Sequence, residues 1–202
     1  MGFTVVALAL GIVLGLVAGG RPSNVGRRPL HAVMALAAAV VLQAVPQLLD
    51  IEGSAGLACV LASYALLVAF ALANIRLVGM PVVLVGLLCN VVVIGANGGM
   101  PVRAEAILAV DRSAELAEVD FGSKRHLEDD SDRVTFLGDI IPVRPIRQVL
   151  SFGDLILSVG IADVVFRLLK PIGAVRRRRR PAVSEVLALL PAVTVTELRR
   201  SA

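Results

Sequence analysis

Charge is scarce in this chain, and so are cysteine and histidine. Charged residues make up 18% of its 202 positions, where a soluble domain usually has nearer a quarter. The shortage is uneven. Four stretches, 3–19, 30–49, 55–73 and 78–96, hold no Asp, Glu, Lys or Arg. The core of a water-soluble protein has no need of such runs. Cys59 and Cys89 both fall inside apolar stretches. Their spacing suggests neither a CxxC redox pair nor a metal site, and they are read as small packing residues. His31 and His126 lie too far apart in sequence to suggest a metal pair. No nucleophile–base pair, histidine cluster or paired intramembrane carboxylates argues for an enzyme. No cofactor and no metal are therefore expected. Nor is a nucleic-acid partner, because the net charge of +4 is sorted by region.

What the chain does have is hydrophobic runs. A spanning helix needs about 20 mostly apolar residues to cross about 30 Å of hydrocarbon. The four uncharged stretches qualify. A fifth, 149–169, carries Asp154, Asp163 and Arg167. The fold class expected is an all-α membrane protein, a five-transmembrane-helix bundle with a structured outer loop segment. Residues 1–170 form the membrane domain, 97–148 its outer loop, and 171–202 a basic cytoplasmic tail. A cleaved signal peptide is not expected, since the basic n-region is missing and Ala18-Gly19-Gly20 is not an A-x-A site.

Arginines set the orientation, because short loops rich in Lys and Arg stay in the cytoplasm. The first loop carries Arg21, Arg27 and Arg28, and the third carries Arg76. The tail carries Lys170 and the unbroken run Arg176, Arg177, Arg178, Arg179 and Arg180. The second loop has Asp50 and Glu52 and no base. Segment 97–148 has ten acids and seven bases, a net of −3. The assignment is consistent with five spans of a cell-membrane protein, N-terminus outside and C-terminus cytoplasmic.

Several residues invite a role. Gly11, Gly15 and Gly19 share one helix face and let another backbone approach, in this chain or a second copy. Ser151-x-x-Asp154 reads as a capping box at the start of the fifth helix. An acid at the edge of a span is also a functional candidate. Asp163 and Arg167 are one turn apart and can pair. Asn90 is read as an interhelical hydrogen-bond partner. Residues 102–110 can form a short surface helix, and 134–143 can pack back over the bundle. Arg176, Arg177, Arg178, Arg179 and Arg180, next to a span, suit anionic lipid headgroups. The bilayer and those headgroups are the partners expected, together with a homo-oligomer or a membrane partner.

Residues 95–165 carry Asn97-Gly98-Gly99-Met100-Pro101-Val102, His126, Leu137-Gly138-Asp139 with Ile141-Pro142, and Ser151-Phe152-Gly153-Asp154-Leu155. This half resembles a bacterial family of small multi-pass membrane proteins built on a domain of unknown function. The resemblance implies class and localisation and transfers no activity. The preferred reading is an integral membrane protein that binds a small solute or a protein partner at its outer face. Asn97, Asp139, Asp154 and His126 are the candidate polar cluster. The alternatives are a transporter or channel component, or a scaffold that recruits a partner through the basic tail.

Overall fold

In a computed structural model, residues 2–111, 119, 121–122 and 124–171 are described. The described chain is mostly helical. Its helices are α1 (Gly2–Val17), α2 (Val33–Leu48), α3 (Gly53–Ala73), α4 (Met80–Asn97), α5 (Ala104–Val110) and α6 (Phe152–Leu169). Each of the five apolar runs contains one long helix, and α5 falls in the short amphipathic stretch before residue 111. The five tail arginines expected at lipid headgroups, Arg176, Arg177, Arg178, Arg179 and Arg180, lie outside the described residues, as does the rest of 172–202.

Among the described residues two helices, α3 and α4, are long and apolar enough to cross a membrane. At 16 residues each, α1 and α2 are about 24 Å long at 1.5 Å per residue. Helix α6 carries three charges. Five full spans are therefore not established by length and composition. The all-α expectation also needs correction. The described residues of segment 98–151 contain four short strands: β1 (Met100–Val102), β2 (Arg125–Leu127), β3 (Ile141–Val143) and β4 (Gln148–Leu150). β1 and β2 pair in parallel, and β3 and β4 pair antiparallel. Stretch 134–143, expected as a cap, forms a 3-10 turn at Thr135–Leu137 and then β3.

Local chemistry accounts for the helix ends. Pro81 sits in the first turn of α4, where its missing N–H costs nothing. Gly98 ends α4 in the left-handed conformation (φ +67), its N–H returning to the Ile94 carbonyl. Ser151 caps α6: its Oγ accepts from the Asp154 N–H at 3.0 Å, and Asp154 reaches back to the Ser151 N–H.

The helices pack side by side in the order α1, α6, α4, α3, α2. Missing side chains set the first two seams. A Cβ at Gly86 would lie 2.5 Å from the Leu157 nitrogen, and one at Gly160 would lie 2.6 Å from that of Val83. Gly11 and Gly15 face Ala162 and Leu169 of α6 in this same chain. Gly19, expected on that packing face, lies beyond α1 instead. It has φ +80 and open space where a Cβ would go.

The core gathers Val60, Tyr64, Phe70, Met80, Val83, Leu87, Val93, Ile94 and Met100. Much of the remaining apolar surface points outward. Val5, Ile12 and Val13 on α1, Met34 and Val41 on α2, Leu72 on α3, and Val85 and Val92 on α4 are all exposed.

The strands lie at the end of the bundle where α4 finishes and α6 starts. α1 begins there too, its Phe3 N–H donating to Gln148 Oε1 at 3.2 Å. At the opposite end two asparagines hold the loops. Asn24 Nδ2 donates to the Leu169 carbonyl at 2.8 Å. Asn74 grips both backbone groups of His31, at 2.9 and 2.8 Å. Arg167 and Asp163 pair at 2.9 Å on the last turns of α6.

Candidate functional site

Three stretches of sequence meet at the strand end. In the first, the Asn97 side chain holds the Arg133 backbone with two hydrogen bonds of 2.8 and 2.7 Å. Gly98 turns the chain, and a Cβ at Gly99 would meet His126 Nδ1 at 2.8 Å. In the second, the Asp139 N–H donates to the Pro101 carbonyl and the Arg103 N–H to the Asp139 carbonyl. In the third, Gly153 leaves room for Asn90, whose Oδ1 occupies the place of the missing Cβ.

Asn90 is 0% exposed, so every polar atom it carries needs a partner. It has them. Nδ2 donates to Asp154 Oδ1 at 2.8 Å and to Tyr64 Oη at 3.5 Å. Oδ1 accepts from Ser151 Oγ at 3.1 Å. One amide thereby joins α3, α4 and the capping box of α6. Asp154 serves the cap and this network together.

Asp139 is 1% exposed. Arg125 Nη2 stands 2.8 Å from its Oδ2. Apart from this ion pair, neither carboxylate oxygen has a donor among the described residues, and Arg125 Nε is buried without a partner. Burial pushes the Asp139 pKa up from 3.8 to about 6. Arg125 pulls it down, the Asp154 charge adds to the rise, and Lys124 lowers it. Burial likewise pushes the Lys124 ammonium below its ordinary value. Arg125 adds to that push, while Asp154 and Asp139 oppose it. Lys124 has no ion-pair partner among the described residues.

The four candidate residues therefore separate into two kinds. Asp139 and Asp154 lie within each other's field, together with Lys124 and Arg125. Asn97 and His126 serve local structure, His126 Nε2 bonding Asp132 at 2.9 Å.

Beside this group is a cavity of about 900 Å³ among α1, α2, α3, α4 and α6. Its walls change character along the bundle. At the strand end it meets Gln43, Gln47, Tyr64, Lys124, Arg125, Gln148 and Asp154. Toward the other end it meets Leu67, Phe70, Met80, Val164 and Leu168. A concave, mainly apolar space with a few convergent polar groups is the usual form of a small-ligand site. Among the described residues no group of three His, Cys, Asp or Glu is placed to hold a metal.

Sequence reasoning missed Lys124 and Arg125, which sit among the many charges of segment 97–148. Gln43 and Gln47 did leave a signal, two amides four residues apart in an otherwise apolar helix.

No curated protein and no solved structure matches the chain. A family model does match, over residues 27–166. That segment begins well before residue 95, so it takes in α2 and α3 as well as the motif-bearing half. The chain belongs to the family of unknown function DUF5317.

Proposed function

We propose that this chain is a multi-pass membrane protein that binds an anionic ligand at the outer end of its interhelical cavity. Two observations support the membrane setting. The helices turn rows of large apolar side chains outward, and soluble monomers rarely expose contiguous apolar patches beyond a few hundred Å². The charges also sort by end. Arg21, Arg27 and Arg28 follow α1, Arg76 follows α3, and Lys170 follows α6, all at the end away from the strands. By the positive-inside rule that end is cytoplasmic. The N-terminus and segment 98–151 then face outward.

The binding reading rests on one observation above the others. The Lys124 ammonium lines the cavity with no direct ion-pair partner among the described residues, the Asp154 and Asp139 carboxylates acting on it only through their fields. A half-buried cation without a hydrogen-bonded counter-charge costs stability that an arriving anion would offset. A binding role explains why the cost is tolerated.

The transporter reading has less support. A conducting path needs polar groups across the whole bilayer, and the polar lining stops near Ser158 on α6.

A thermal-stability screen of the detergent-purified chain against anionic compounds, small and tailed, tests the proposal. A ligand that binds only the folded state raises apparent stability. At least one anion is expected to stabilise the native chain and to lose that effect in Lys124→Gln. If no anion stabilises the native chain, or the variant responds equally, the binding reading is wrong.

A further inference from the structure

The cavity extends well beyond what a small anion needs. Along α6 it runs from Asp154 to Leu168, fourteen residues or about 21 Å of helix. Beyond Ser158 its lining on that helix is Ile161, Val164, Val165 and Leu168. Such a space holds no ordered water, because a buried water needs two to four polar partners. It suits hydrocarbon.

The cavity also reaches the flank of the bundle. α1 packs on α6 and α2 packs on α3, and α1 and α2, at the two ends of the row, share no comparable seam. Two lining residues, Leu8 on α1 and Val40 on α2, are 39% and 56% exposed. Both belong to the apolar surfaces that face the bilayer in the reading above. A hydrocarbon chain can therefore pass between α1 and α2 without crossing a polar barrier.

We infer that the occupant is an anionic membrane lipid, its headgroup on Lys124 Nζ beside the Arg125 guanidinium and its tail along α6 toward Leu168. This inference rests on the anion-site reading and adds the tail. The headgroup end offers the Lys124 ammonium, which has no ion-pair partner among the described residues, beside the Arg125 guanidinium that Asp139 holds, with the Asp154 carboxylate at the same end. It also offers the amides of Gln43 and Gln47. The two groups suit a phosphate, which accepts several hydrogen bonds at once.

The test uses the full chain in a neutral detergent and three probes: lysophosphatidic acid, lysophosphatidylcholine with the same tail, and inorganic phosphate. Apparent stability is followed against probe concentration in the native chain, in Lys124→Gln (or Lys124→Met) and in Val40→Trp. Lysophosphatidic acid is expected to half-saturate at least tenfold below the other two. Lys124→Gln should abolish that preference over the zwitterionic lipid. Val40→Trp, which narrows the opening, should weaken lysophosphatidic acid severalfold and leave inorganic phosphate unchanged. Equal potency of phosphate and lysophosphatidic acid overturns the lipid and leaves the anion site standing. Equal potency of the two lipids, or an unaltered Lys124→Gln, overturns both.

Discussion

The seam between α4 and α6 and the gap between α1 and α2 are built from opposite materials. Where α4 meets α6, glycine stands at Gly86, Gly153 and Gly160, and backbone touches backbone. Facing the gap, α1 offers Phe3 and Leu8 and α2 offers Leu36, Val40 and Gln43, none of them small. In the bilayer setting proposed above, apolar area alone would drive no helix pairing, because lipid tails are as apolar as leucine. Close backbone approach must then decide which helices pair. The contrast explains how a set of mostly apolar helices has both a tight seam and an open side.

The largest expected effect comes from filling the seam. Gly153→Leu places a side chain on Asn90 and on the Gly86 carbonyl, atoms that cannot give way. Overpacking alone costs about 1–3 kcal/mol, and the displaced amide network adds to it. The variant is expected to yield little monodisperse protein by size-exclusion chromatography. A well-folded variant would mean that the seam is loose.

A smaller effect is expected at the polar end, where it depends on pH. The folded-state pKa of Asp139 is raised from 3.8 to about 6. The stability this group contributes is fully present below about pH 4 and lost as pH rises through 6. Two units correspond to roughly 3 kcal/mol. Asp139→Asn lacks this titration. The native chain should therefore lose ground to the variant between pH 4 and 7 in thermal melts. A pH-independent difference would place Asp139 in a wetter setting.

The smallest effect is expected on the open side. Val40→Trp adds bulk where nothing packs, and surface changes of this kind stay within about 0.5 kcal/mol. A large loss of apparent stability there would mean that α1 and α2 close on each other.

The sequence carried the helices well and the strand end poorly. An uncharged run such as 55–73 announces α3 by composition alone. Ser151-x-x-Asp154 and Asp163 with Arg167 are local patterns, decided within one turn, so they were readable as a cap and a pair. β1 and β2 were not. Each has three residues, too few to show alternation, and the partners are about 25 positions apart. Lys124 and Arg125 become half-buried only through that pairing, so their importance was hidden among ordinary surface charges. Gly19 misled for a related reason. Spacing placed it on the face of Gly11 and Gly15, but the helix had already ended at Val17.

Asn90 has a consequence of a different kind. All its polar atoms are matched, yet hydrogen bonds of this sort add little net stability, about 0.5–1.5 kcal/mol each. Their weight falls on the wrong arrangements. If α6 slid along α4 by a single residue, a shift of about 1.5 Å, the amide would lose Asp154 and Ser151 at once. Apolar helices in lipid have many near-equivalent ways to lie together. A lone amide buried at the crossing of three of them penalises every arrangement but one. Asn90 in this sense acts as an index mark, telling the bundle which alignment is home.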